Sequence, residues 1–170
     1  MQELTLAHAN DFFENHLDGF LKKLTPDLRP LWGKMTSQHV VEHLAWVVGG
    51  SAGKWTSPVF TPAEKLPKYR LFVYTNIAIK PGFNTPLLDP GELPALALPS
   101  LDDAVEDFWQ AWADFEGFFL QNPKLTPNHP VFGPLSGDEW RRFHFKHAVH
   151  HLAQFGLTTV GAHGLVMPGQ

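Results

Sequence analysis

The chain of 170 residues is 44% hydrophobic and 18% charged, ordinary proportions for a packed globular domain and too apolar for intrinsic disorder. Its formal net charge of −4 leaves no basic footprint for nucleic acid, and the absence of cysteine excludes disulfides, thiolate metal sites and cysteine nucleophiles. Any metal must therefore be held by imidazole, carboxylate, carbonyl or water.

A chain of this length is expected to form a single domain over residues 1–170. Met1-Gln2-Glu3-Leu4-Thr5 lacks the basic start and apolar run of a signal peptide, and no window approaches the ~20 apolar residues that span a bilayer. The expectation is a cytoplasmic protein with no membrane partner. Six tryptophans and fourteen phenylalanines suggest a core or pocket walled by large rings.

The first predicted helix runs from roughly Thr5 to Leu24, with Phe12, Phe13, Leu17, Phe20, Leu21 and Leu24 at helical spacing. Pro26 and Pro30 then punctuate a linker carrying Trp32-Gly33-Lys34-Met35. Thr36 or Ser37 caps a second helix expected to reach about Val48 and to stop at Gly49-Gly50.

Residues 51–99 differ in kind. Eight of the fifteen prolines fall here (Pro58, Pro62, Pro67, Pro81, Pro86, Pro90, Pro94 and Pro99), without strong periodicity. Arg70-Leu71-Phe72-Val73-Tyr74 reads as a short strand or a helical turn. The segment is expected to be an ordered excursion over one end of the domain.

Ser100-Leu101-Asp102-Asp103 fits a capping box opening a third helix to about Gln121, with Leu101, Ala104, Val105, Phe108, Trp112, Phe115 and Phe119 as its apolar stripe. After a loop containing Asn128-His129-Pro130, Ser136-Gly137-Asp138-Glu139 repeats the capping logic. It starts a fourth helix near Asp138 that should run to about Val160, ended by Gly161 and Gly164. Four long helices and one long proline-rich crossover between helices 2 and 3 predict an all-α fold, a four-helix bundle.

Four of the ten histidines fall between His144 and His151. His147 and His151, four apart, share a helical face with Gln154, Trp140 and Phe143, close enough to grip one metal ion. The opposite face carries Phe145, Val149 and Leu152, an apolar back that could pack on a neighbouring helix or a second subunit. On the second helix, His43 sits within the stripe of Val40, Trp46 and Val47 and should project into the core. His39 lies one turn earlier on the rim. Burying three imidazoles without a partner would cost several kcal/mol, about 2–7 for each unpaired polar group, and a metal removes that difficulty because neutral imidazole is its natural ligand. His8, His16, His129 and His163 read as surface or loop histidines.

His39-Val40-Val41-Glu42-His43 also spells the His-x-x-Glu-His pattern of inverted zinc peptidases. That scheme needs a further carboxylate ligand and leaves the fourth-helix histidines without a role, so it is set aside.

Trp32-Gly33-Lys34-Met35-Thr36 leading into Glu42-His43-Leu44, then His129-Pro130-Val131-Phe132-Gly133-Pro134-Leu135, Glu139-Trp140 and His147-Ala148-Val149-His150-His151-Leu152-Ala153-Gln154-Phe155-Gly156 carry a resemblance. Across most of its length the chain resembles the DinB-like superfamily of four-helix-bundle metal-binding proteins, and within it a branch known only as a domain of unknown function. The resemblance implies that His43, His147 and His151 bind a divalent metal. Nickel, zinc, manganese and iron all occur in the superfamily, and some members resemble transferases that use low-molecular-weight thiols.

Three protein ligands leave coordination positions open, the mark of a catalytic site. Glu42 and His150 flank the ligands as candidate general bases or orienting groups, and Gln154 is placed to hydrogen-bond a bound water or a ligand imidazole. His39 and His144 are candidates for substrate contact at the rim. Trp46, Trp109, Trp112 and Trp140 serve either as pocket walls or as core. The leading expectation is a metal-dependent hydrolase or thiol transferase acting on a small molecule, in a chain that could form a homodimer. A non-catalytic metal- or ligand-binding bundle is the alternative. A metal-free interaction module, dimerising through the back of the fourth helix, is a third reading.

Overall fold

A computed structural model describes residues 2–83, 85–87 and 92–169. It is mostly helical. The first helix, α1 (Leu6–Asp11), passes through a π-helical turn at Phe12–His16 into α2 (Leu17–Leu21). Then follow α3 (Ser37–Ser51), the short α4 (Leu66–Arg70) leading into a 3-10 turn at Leu71–Tyr74, α5 (Leu101–Gln121) and α6 (Gly137–Gln154). Between α5 and α6, strands β1 (Asn128–His129) and β2 (Gly133–Pro134) pair antiparallel, Asn128 opposite Pro134 and His129 opposite Gly133.

Local chemistry frames the two helices that matter most. The Thr36 hydroxyl accepts from the His39 backbone N–H, and the His39 side chain answers the Thr36 backbone. Ser136 and Glu139 do the same at the start of α6, and Ser100 caps α5. Both α3 and α6 end in a Schellman motif. Lys54 N donates to Gly49 O at 3.0 Å and Gly53 N to Gly50 O at 3.0 Å, with Gly53 at φ +80°. Leu157 N donates to Leu152 O at 3.0 Å and Gly156 N to Ala153 O at 3.0 Å, with Gly156 at φ +68°.

These endings correct two expected boundaries. The second helix does not stop at Gly49-Gly50 but runs through both, because the glycines are packing positions. A Cβ at Gly50 would lie 2.2 Å from Cζ2 of Trp55, and one at Gly49 would lie 3.1 Å from Cδ of Lys54. The last helix ends at Gln154 rather than near Val160, because Gly156 supplies the left-handed residue that a Schellman stop requires.

The helix α3 packs along α5, while α6 packs against α1, α3 and the turn at 71–74. Phe145, Val149 and Leu152 on the back of α6 are fully buried, and Phe145 meets Phe12 edge-on at 5.2 Å between ring centroids. Each such side chain contributes about 1.5–3 kcal/mol by burial. The back of α6 is thus covered within the chain, which removes it as the expected dimer face.

The proline-rich stretch is described only in part; Pro90 lies outside the described residues. Arg70–Tyr74 forms helical turn rather than strand and packs on α6. There Arg70 Nε and Nη2 grip Glu139 Oε1 and Oε2, each at 2.6 Å, and the Tyr74 hydroxyl donates to Glu139 Oε1 at 2.7 Å. Beyond it, Asn76 N donates to Gln2 O and Ala78 N to Val166 O, which seats Ile79 beside α6. Residues 97 and 98 are pinned to α3, where Glu42 accepts from Ala97 N at 2.8 Å and from Leu98 N at 3.1 Å. No helix among the described residues is long and apolar enough to cross a membrane.

Candidate metal centre

The helices α3 and α6 bring three imidazoles to one point. His43 Nε2 lies 3.0 Å from His147 Nε2, which lies 3.1 Å from His151 Nε2. Among the described residues, His43, His147 and His151 are the group of three or more metal-ligating side chains whose donor atoms all fall within 4.8 Å of one another. His147 and His151 are buried, and His43 is partly exposed.

The protonation of the cluster can be followed from its hydrogen bonds. Gln154 Nε2 donates to Trp32 O at 2.9 Å, which turns its Oε1 toward His151 Nδ1 at 2.8 Å. His151 therefore carries its proton on Nδ1, and its Nε2 lone pair points into the cluster. His147 Nδ1 is buried without a hydrogen-bond partner, so the ring's polar contacts run through its Nε2. An Nε2 proton on His147 could satisfy one of its two neighbours and never both. A cation at the centre satisfies all three. With tetrahedral bonds of about 2.1 Å, ligand nitrogens sit ~3.4 Å apart, within a few tenths of the observed spacings. The residues fit a divalent ion.

The electrostatics agree. Burial, with the nearby His150, pushes His43 down to about 4. Burial first, and neighbouring imidazoles second, hold His147 and His151 well below the ordinary histidine value. All three are neutral donors at neutral pH, the form a metal requires.

Supporting contacts come from segments remote in sequence. The turn at 31–33 wraps the end of α6, with Leu31 N donating to Gln154 O at 2.7 Å. Gly33, at φ +78°, is a glycine for two reasons: its backbone is left-handed, and a Cβ would lie 2.8 Å from Gln154 Nε2. Gln154 thus takes the role expected of it beside a ligand imidazole, whereas the tie from the Trp32 carbonyl depends on a tertiary contact that helical periodicity does not carry.

Other candidates are placed differently. His150 holds Ile79 O through Nδ1 at 3.2 Å, stands edge-on to Trp32 and has its ring centroid 5.0 Å from that of His151. Glu42 spends both oxygens on Ala97, Leu98 and Gln38 and serves as a pin for residues 97–98. His39 is engaged by Thr36 and Pro94 O. His144 is not at a rim: it is buried, 2.8 Å from the Ser51 hydroxyl, and Trp140 stacks on it. His129 is not a surface histidine either. Its Nδ1 accepts from Val131 N and Phe132 N, and burial holds it down to about 3. Trp112 and Trp140 are core, whereas Trp46 is exposed.

A family model described as a protein of unknown function (DUF1569) matches residues 21–158, which takes in α3, α5, α6 and all three clustered histidines. No curated protein and no solved structure matches the chain.

Proposed function

Because the chain belongs to the DUF1569 family, whose description assigns no activity, we propose its function from the site itself: a metal-dependent enzyme of hydrolase or thiol-transferase type, acting on a small molecule. His43, His147 and His151 hold the divalent ion, nickel or zinc in the first instance and manganese or iron otherwise. The observation that carries this is the convergence of three Nε2 atoms with no arrangement of protons that satisfies them. In fold, the reading is a single DinB-like four-helix bundle, supported by the packing of α3 on α5 and of α6 on α1 and α3. In the cell, the reading is a cytoplasmic protein.

When bound, the ion supplies Lewis acidity that lowers the pKa of a coordinated water or thiol. The chain's own residues do the rest. Gln154 fixes the tautomer and tilt of His151. His150, tied by Nδ1 to Ile79 O, keeps its Nε2 as a lone pair beside the cluster and is the candidate proton acceptor. Glu42, its carboxylate already spent on backbone amides, positions the chain around His43 rather than acting as base.

Measuring metals bound to untagged protein beside His147→Ala tests this. About one equivalent of metal, lost in the variant, is the expected result. No uptake in either protein after reloading with nickel, zinc, manganese and ferrous iron would overturn it. A non-catalytic metal-binding bundle is the second reading; it predicts the same uptake with no turnover of hydrolase or thiol-transfer substrates.

A further inference from the structure

One exposed ring stands out beside the cluster. Trp46 is 40% exposed, although it follows His43 by three residues on α3 and its ring centroid lies 6.4 Å from that of His43. Its mobility is removed from behind. Trp55 stacks on it at 4.3 Å between centroids and 16° between planes, and the Trp55 Nε1–H donates to Trp46 O at 2.9 Å. Trp55 in turn occupies the space above Gly50, where a Cβ would lie 2.2 Å from the indole. Two tryptophans, a hydrogen bond and a glycine thus hold one large apolar surface rigid in solvent.

Core packing does not require this arrangement, since Trp46 leaves much of its surface in water. Recognition does: rigid aromatic rings supply contact area at low cost in conformational entropy. His43 is also the partly exposed member of the three, and Trp46 is its neighbour on α3. The Glu42 carboxylate, next to His43 in sequence, is consumed by Ala97 N and Leu98 N.

We propose that Trp46, backed by Trp55, is the platform for the body of the ligand. The site therefore takes small molecules that join a flat aromatic or apolar ring to a metal-ligating anionic head. The head would meet the ion held by His43, His147 and His151, and the ring would stack on Trp46. This rests on the metal-site reading above.

The test compares acetohydroxamate with benzohydroxamate, probes that share a metal-binding head and differ in the ring. Metal content is measured first, then affinities by calorimetry on zinc- or nickel-loaded protein. Benzohydroxamate should bind wild type about tenfold more tightly than acetohydroxamate. Trp46→Ala should cut that ratio severalfold while leaving acetohydroxamate affinity unchanged, and Trp46→Phe should restore much of it. Gly50→Ala, which unseats Trp55 without touching Trp46, should weaken the ratio as well. Equal binding of the two probes by metal-loaded wild type, or a ratio untouched by Trp46→Ala in a folded, metal-loaded variant, overturns the platform and leaves the metal site standing. Failure of metal uptake removes both.

Discussion

His43 and His147, 104 residues apart in sequence, set their Nε2 atoms 3.0 Å from each other. With the Nε2 of His151 3.1 Å from that of His147, no arrangement of protons satisfies all three nitrogens, and the group could hold a cation. The ligands come from two helices, and what surrounds them can be tested separately from what they hold.

Gln154 should matter for affinity more than for folding. Gln154→Leu removes the acceptor on His151 Nδ1 and the tie to Trp32 O. Loss of such an orienting partner typically costs ~10–100-fold in metal affinity. Competition against a chelator of known strength should show a drop in that range, with the helical circular-dichroism signal retained. Unchanged affinity would mean that the ring is oriented by packing alone.

Gly33→Ala should lower both stability and affinity. Its φ of +78° costs an L-residue about 1–2 kcal/mol. The new Cβ also meets Gln154 Nε2 at 2.8 Å. Urea unfolding and metal titration on one sample should move together. If stability falls while affinity holds, the turn at 31–33 does not position Gln154.

Glu42→Ala separates a pin from a base. It frees Ala97 N and Leu98 N and should expose residues 92–98 to limited proteolysis, with metal stoichiometry unchanged. An intact proteolytic pattern would show that residues 92–98 are held by other contacts, such as those of Leu98 O with Gln38 and Pro94 O with His39.

Glu139 is the buried carboxylate among the described residues. Burial would raise its pKa, yet hydrogen bonds from Arg70, Tyr74 and Ser136 outweigh burial and hold it at about 2. Glu139→Ala should destabilise by about 2–3 kcal/mol, the usual scale for losing charged hydrogen bonds at a buried site. A change under ~0.5 kcal/mol in urea unfolding, the range of a neutral surface substitution, would remove Glu139 from this role.

Acid should unfold the metal-free chain in two stages. Burial holds His43 at about 4 and His129 and His144 at about 3, below the ordinary 6.5. The unfolded chain takes up these protons as pH falls below about 6.5 and the folded chain does not, so stability declines through that window and levels off once the folded values are reached. Glu139 adds a second decline, its contribution being complete above its unfolded value of 4.5 and lost as pH falls toward about 2. Urea midpoints in chelator should already drop between neutral pH and about pH 5, before carboxylates titrate. A flat profile there would contradict the buried, neutral histidines.

The helices were legible because their signals are local: Thr36, Ser100 and Ser136 as caps, and the wide stripe of α5. The facing of His43, His147 and His151 could likewise be drawn from helical periodicity. What could not be read depends on tertiary partners. Gly49 and Gly50 look like a stop until Trp55 and Lys54 are seen packing on them. His129 looks like a loop residue until its ring is found bonded to two backbone amides and stacked on Phe132. The burial of Lys146 likewise depends on a remote segment: its ammonium lies over the Phe72 ring, and burial lowers its pKa to about 7.

The capping boxes and Schellman stops on α3 and α6 act as indexing marks for two shafts. A helix fixed at both ends cannot slide by a residue, and each residue of slip would turn its side chains by about 100°. Deleting one residue between Thr36 and His43 would leave the α6 pair in phase and swing the third imidazole out of it. The angular registry that makes three rings meet is thus written at the helix ends, in Thr36, Gly53, Ser136 and Gly156, none of which touches the cluster's nitrogens.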